Sequence, residues 1–308
     1  MRSRSATPHR TMRSARIDRR VVWSGVARRR RRSSRARRSS LEPFHGCSVE
    51  AALGSCFPCV TVHDGPVGVP VGAQQRDNAY RPPVDAQTLL AMEVLGSLND
   101  VERRHAPPVL HLAGDRGLLA PGIGRVSIVG SRSASEDGLR RAAKLARELA
   151  RAGIVVVSGL AKGIDAAAHT ASISAGGRTI AVLGTPLDRV YPAEHAELQE
   201  MLYREHLVVS QFERGHTTHK SDFVNRNRTM ALLSHASVIV EAGETSGTLS
   251  QASETQRLGR PLFMMRSVLA MPGLSWPERF ARSGALALDD TSQIVAAVHE
   301  RLLGPSPA

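Results

Sequence analysis

The sequence predicts an α/β protein: a doubly wound, mainly parallel, Rossmann-like sheet behind a disordered, basic N-terminal tail. Three observations carry that reading. From Val126 onward, short apolar runs of strand length alternate with segments of helical period, the succession that builds a parallel sheet with right-handed crossovers. Three of these runs end in Gly/Ser loops that open a helix (Gly130–Ser135, Ser158–Gly163 and Gly243–Gly247), as strand-to-helix turns of an open doubly wound sheet do. Residues 1–40, in contrast, hold 15 Arg and one acid, Asp18, with almost nothing to bury.

The elements follow in order. Residues 1–80 are expected to be a disordered Arg/Ser-rich tail and an irregular linker, because 41–80 are rich in Gly, Pro and Cys and lack periodicity. Residues 81–106 read as a short helical segment, with Leu89, Leu90, Met92 and Leu95 at helical spacing inside a helix over 85–104. Residues 107–304 are expected to form the Rossmann-like domain. Pro108–Asp115 reads as a strand running into a turn. Strand Val126–Val129 leads to a helix at 136–151, strand Ile154–Val157 to a helix at 164–174, and strand Thr179–Leu183 to a helix near 193–204. Strand Leu207–Ser210 precedes a polar loop and a helix near 223–234. Strand Ser237–Glu241 leads to a helix at 248–258, and Pro261–Met265 closes the series.

The formal charge is +13, but residues 1–40 carry +14 and residues 41–308 carry −1. The folded part is near neutral, so its bulk charge names no partner. The arginine tail would bind any polyanion by counterion release, without specificity. It reads either as a nucleic-acid-binding arm or as an upstream stretch without a selected role. No apolar run approaches the roughly 18–20 residues of a membrane span, and no membrane partner is expected. Arg19-Arg20 precedes an apolar stretch of seven residues that stops at five Arg, too short for an export signal. Three Cys (Cys47, Cys56 and Cys59) make no disulfide framework, so a cytoplasmic location is expected. With His63 they have the residue types of a zinc site, but only one pair has C-x-x-C spacing, and no metal or cofactor is expected.

The chemistry lies in the loops. Gly130, Ser131 and Arg132, then Ser158, Gly159, Lys162 and Gly163, then Ser246 and Gly247, end strands that line one edge of an open sheet. Each loop offers backbone N–H groups and a positive helix N-terminus, which suit phosphate. None is G-x-G-x-x-G or a Walker A loop, so NAD and ATP are not indicated. Such loops also serve simply to turn the chain. Here Arg132 and Lys162 sit inside them, aimed at the crevice beyond the strand ends. Arg226, Asn227 and Arg228 open a helix and can donate to phosphate or to base edges. Phe223, just before them, reads equally as a base-stacking platform or as a helix anchor. Asp165 reads as a helix-capping acid and His169 as a packed histidine. No catalytic triad, metal motif or carboxylate pair stands out.

These loops, in this order, resemble the DprA/Smf family (DNA-processing protein A). The stretches that carry the resemblance are Val126–Arg132, Val157–His169, Gly177–Gly184, Tyr191-Pro192, Arg226–Arg228, Ser246-Gly247 and Gly259-Arg260. The resemblance implies a Rossmann-like, non-enzymatic protein that binds single-stranded DNA, passes incoming strands to the recombinase RecA in natural transformation, and forms a homodimer. Carried over by position, it implies that Arg132, Lys162, Phe223, Arg226 and Arg228 make the basic DNA pocket and its neighbouring aromatic. The chain departs from the family at Ser210-Gln211, where Ser-Glu is common, and in a His/Thr-rich loop at 213–222. It is also expected to lack the winged-helix domain that many members carry.

Two other readings use the same crevice. A sensor would bind a small nucleotide signal there. A nucleotide phosphoribohydrolase would need a glutamate in a PGGxGTxxE signature. Aligned on Gly247-Thr248, this chain has Gln251 at that position, and an amide cannot serve as the base.

Overall fold

The computed structural model describes residues 80–303. The expected Arg/Ser-rich tail and the irregular linker up to residue 79 fall outside the described residues, as do Cys47, Cys56, Cys59 and His63, where no metal is expected.

Among the described residues, nine strands form one sheet in the order β1-β2-β6-β5-β4-β3-β7-β8-β9. The strands are β1 (Ala86–Leu90), β2 (Val109–Gly114), β3 (Arg125–Gly130), β4 (Val155–Ser158), β5 (Thr179–Leu183), β6 (Leu207–Ser210), β7 (Ala236–Glu241), β8 (Leu262–Met265) and β9 (Leu286–Leu288). β6 through β9 in that order run parallel; β2 lies antiparallel to β6, and β1 antiparallel to β2. The helices are α1 (Ala91–Leu95), α2 (Asp100–His105), α3 (Glu136–Arg151), α4 (Ile164–Ser174), α5 (Ala196–Glu205), α6 (Lys220–Leu233), α7 (Thr248–Arg257), α8 (Arg266–Leu269), α9 (Trp276–Arg282) and α10 (Thr291–Leu303).

The strands β4, β5, β6 and β7 are buried at every residue, as helices on both faces require. Alternate residues feed the two faces. Val155, Val157, Ile180, Val182 and Ile239 pack with Met230 and Leu233 of α6 and Ala252 of α7. Val126, Ile128, Val156 and Val238 pack with α3, α4 and α10 through Leu145, Leu149, Ala168 and Val298. Burying each aliphatic side chain contributes about 1.5–3 kcal/mol, and this sets the register. α3 begins at Ser135, whose hydroxyl accepts from the N–H of Gly138 at 3.0 Å, the ordinary N-cap contact.

The chain winds outward from β3 through β4, β5 and β6, then returns to place β7 on the other side of β3. The β3/β7 junction is therefore the switch point of the sheet, where a crevice opens beyond the carboxyl ends of the strands.

The structure differs from the sequence reading in two places. The helix expected over 85–104 is a strand followed by two short helices. β1 pairs with β2 over five residues, from Ala86 opposite Ala113 to Leu90 opposite Val109, and that ladder overrides the helical spacing of its leucines. The sheet also continues beyond Pro261–Met265, because β9 adds to β8 in parallel with Phe263 opposite Leu286.

Candidate functional site

The crevice at the switch point has a volume of about 640 Å³. Its walls are the β3–α3 loop (Gly130, Ser131, Arg132), the β7–α7 loop (Ser246, Gly247) and the exposed side of α6. On α6, Lys220, Phe223 and Asn227 stand at i, i+3 and i+7, so they share one face. Arg226 lies beside them and closes the inner end.

Charge and donors in this crevice are unevenly spent. Arg132 and Lys220 are exposed, and neither has an ion-pair partner among the described residues. The Arg132 guanidinium carbon stands 5.6 Å from the centre of the Phe223 ring, a cation–π contact worth about 0.5–1 kcal/mol at an exposed site. Tyr191 lies against Phe223 with ring centres 5.2 Å apart and is 47% exposed, so the two rings offer a stackable aromatic surface. The backbone N–H groups of Arg132, Thr245 and Gly247 have no hydrogen-bond partner among the described residues. Phosphate oxygens are the natural acceptors for such groups.

Arg226 has a different duty. It is 5% exposed, and its Nη1 donates at 2.6 Å to the carbonyls of both Gly159 and Val182, joining the ends of β4 and β5 to α6. Gly159 is required there, because any side chain would run into the guanidinium. Asp165, also buried, accepts from the N–H of Gly159 at 3.1 Å and of Ala161 at 3.4 Å and so holds the β4–α4 loop. Burial pushes the Asp165 carboxyl above its ordinary pKa, while the Arg226 charge and those N–H groups pull it back. In the same loop, Leu160 is held at φ 58°, a left-handed conformation rare for leucine, and its side chain is fully buried.

Asn227 is likewise engaged: its amide donates to Ser250 Oγ at 2.6 Å and to the Gly247 carbonyl at 3.4 Å, fixing the β7–α7 loop against α6. Five expected residues do not line the crevice, Gly159 among them, since it sits beneath the Arg226 guanidinium. Ser158 is fully buried and donates to the Ile128 carbonyl at 2.7 Å. Lys162 is exposed and pairs with Glu194. Gly163, at φ 75°, lets α4 start close against the carbonyls of Ser131 and Arg132. Arg228 turns away and forms a two-pronged pair with Glu254 of α7 at 3.1 and 3.3 Å. Two residues not expected in the site join it, Lys220 and Tyr191, the second named only as part of the family resemblance. The i, i+3 step from Lys220 to Phe223 was a usable signal for the first.

Two further residues weighed in the sequence, His169 and Gln251, are buried. His169 is fully buried, its Nδ1 is 2.7 Å from Thr179 Oγ1, and burial with the nearby His206 and His195 pushes its pKa down to about 3. Gln251 is 1% exposed at the crevice wall, with its amide toward Ser237 Oγ at 3.4 Å. Among the described residues, no group of three His, Cys, Asp or Glu is placed to hold a metal ion.

Against known proteins, the family model for DNA recombination-mediator protein A matches residues 96–299. The chain belongs to that family. DNA processing protein DprA of Streptococcus pneumoniae is 39% identical over 168 residues, which is 54% of this chain and 56% of that one. DNA processing protein DprA of Bacillus subtilis is 34% identical over 195 residues, 63% of this chain and 65% of that one. The chain spans about two fifths to two thirds of the length of the curated relatives it matches. The X-ray structure of the pneumococcal DprA superposes with a TM-score of 0.59 at 32% identity, covering 70% of this chain and 74% of the other. A Helicobacter pylori DprA structure, described as giving insight into its single-stranded DNA binding mode, has a TM-score of 0.59 at 26% identity, covering 71% and 97%. The DprA-family match covers α2 through β9 and so contains the whole crevice.

Proposed function

We propose that this DprA-family protein binds single-stranded DNA in the switch-point crevice and acts on it without chemical conversion, as a mediator that delivers strands to RecA. The observation that carries the reading is the juxtaposition of two unpaired cations, Arg132 and Lys220, with the Tyr191–Phe223 rings and three free backbone N–H groups. Cations and N–H groups meet phosphates, while rings meet bases of any sequence. The single-stranded DNA bound by the Helicobacter pylori relative supports the same ligand class here. A homodimer, RecA as recipient and a cytoplasmic setting belong to this proposal; no helix among the described residues is long and apolar enough to cross a membrane.

The test is a salt titration of binding to labelled oligo-dT of several lengths, with the full chain and its Arg132→Ala/Lys220→Ala double variant. The Arg-rich tail then contributes equally to both. Each lost phosphate contact lowers the log–log salt slope by about 0.7 for a single strand, so the double variant should fall by roughly 1.4. Tyr191→Ala and Phe223→Ala should each weaken binding by about 1–3 kcal/mol with little change in slope. Unchanged affinity and slope in all three variants would overturn the crevice as the DNA site. Saturable binding of a mononucleotide with no dependence on oligomer length would favour a nucleotide sensor instead.

A further inference from the structure

A second cavity, of about 530 Å³, lies at the opposite end of the sheet, where β3, β7 and β8 begin. Arg125, Arg260, Arg301, His235, Glu102 and Ser97 contribute to its lining. Part of each guanidinium has a structural task. Arg260 Nη1 donates to the carbonyls of Ala231 at 2.9 Å and Leu232 at 2.8 Å, and also to Ser234, which satisfies the end of α6. Arg125 donates from Nε to the Leu233 carbonyl at 2.7 Å and from Nη1 to Ile123 at 3.3 Å. Glu102 Oε1 accepts from Arg260 at 2.6 and 3.2 Å and from Arg301 at 3.1 Å, while its Oε2 accepts the Asn99 N–H at 3.1 Å. His235 Nδ1 accepts the Arg125 N–H at 3.0 Å, which leaves the proton on Nε2.

The acceptors are thus consumed, and the groups left over are donors. Arg125 Nη2, Arg301 Nε and Nη1, and His235 Nε2 have no partner among the described residues, none is sealed from solvent, and all three residues line the cavity. The unengaged side-chain acceptors are the Glu300 carboxylate, exposed on α10, and the Ser97 hydroxyl, which can also donate. Burial and the Arg260 charge push the Arg125 guanidinium down to about 10, so it stays cationic at neutral pH. Burial and the same three arginines push His235 down to about 4, so its ring is neutral there. Planar guanidiniums with free edges recognise tetrahedral oxyanions in a forked geometry.

We propose that this cavity binds a phosphate group, held by the free edges of Arg125 and Arg301 and by the Nε2–H of His235. The phosphate comes either from a small free species or from the backbone of a nucleic-acid strand. The site stands apart from the crevice, so it does not depend on the function proposed above.

The test follows the His235 ring by NMR in the full chain carrying 13C-labelled histidine, with the signal identified by its loss in His235→Gln. At pH 7 and constant ionic strength, inorganic phosphate and a short oligo-dT are titrated separately. A saturable shift of the His235 signal is expected, weakened at least tenfold in Arg301→Met, with the buried His169 signal unmoved as a check on the fold. A shift with inorganic phosphate assigns a free species; a shift with oligo-dT alone assigns a strand backbone. Arg132→Ala should leave the phosphate response intact whatever it does to DNA binding at the crevice. No shift with either probe overturns the proposal, as does an equal shift in Arg301→Met.

Discussion

Arg226→Met is expected to lower stability by about 3–5 kcal/mol, a loss typical of breaking a buried charge arrangement from one side. Arg226 is one residue before Asn227 in a helix, yet its guanidinium reaches the ends of two strands through Gly159 and Val182. Removing it leaves two buried carbonyls without donors and leaves Asp165 without the charge that opposes its burial. Methionine fills much of the same volume, so the deficit is polar rather than a cavity. Arg226→Lys should recover only part of the loss: one ammonium can meet the two carbonyls that share Nη1, but it lacks the Nε–H that donates to Asn227 Oδ1 at 3.1 Å. Urea denaturation followed by circular dichroism gives the answer. A loss below about 1 kcal/mol would mean that water replaces the guanidinium and that Arg226 is not a structural tie.

A comparable loss, about 3–5 kcal/mol, is expected for Glu102→Ala. Glu102 is 3% exposed and its one carboxylate joins α2 to Arg260 and Arg301, residues 158 and 199 positions further along the chain. Without it, two guanidiniums share a partly buried space with no counter-charge. The effect carries a pH signature. Burial pushes the Glu102 carboxyl up, but hydrogen bonds and charge from Arg260, the Asn99 N–H and Arg301 outweigh it, so its pKa lies below the model-peptide value of 4.5. A carboxylate with a depressed folded pKa contributes stability above its unfolded pKa and loses that contribution as pH falls through the folded value. The stability gap between the wild type and Glu102→Gln should therefore be widest near neutral pH and narrow below about pH 4. Denaturation curves for both proteins at pH 7 and at low pH decide it; a gap independent of pH would show that the glutamate acts through packing alone.

The legible parts of this chain were those whose physics is local or uniformly buried. Val155–Val157 and Leu207–Val209 are unbroken apolar runs because both faces are covered, and these strands are readable from sequence. Ala86–Leu90 was not. It is an exposed edge with mixed propensity, and only the ladder to β2 decides its state. β9 is three residues long and takes its place from Phe263–Met265 beside it. In the site, the Gly/Ser loops announced themselves, but side-chain direction did not. Arg226 and Arg228 are two positions apart on a helix, so they cannot face the same way. One turns to the strand ends and the other to Glu254. Lys162 looked like a ligand cation, yet Glu194, distant in sequence, neutralises it. Tyr191 comes from the β5–α5 connection and meets Phe223 only in the folded chain, 32 positions away in sequence.

The bracing around the crevice has a consequence for how a ligand is received. The Ser131 N–H bonds the Glu241 carbonyl at 2.7 Å, and the Glu241 carboxylate accepts from Ser135 N at 2.8 Å and Ser135 Oγ at 2.5 Å. Asn227 ties α6 to the β7–α7 loop, and Arg226 ties it to the ends of β4 and β5. Each wall is fastened to another wall. The backbone walls of the socket are thus held before a ligand arrives, and the ordering on filling falls mainly on the unpaired Arg132 and Lys220 side chains. Encounter then becomes docking without a slow rearrangement, and ligands that fit are told apart by how long they stay rather than by how fast they arrive.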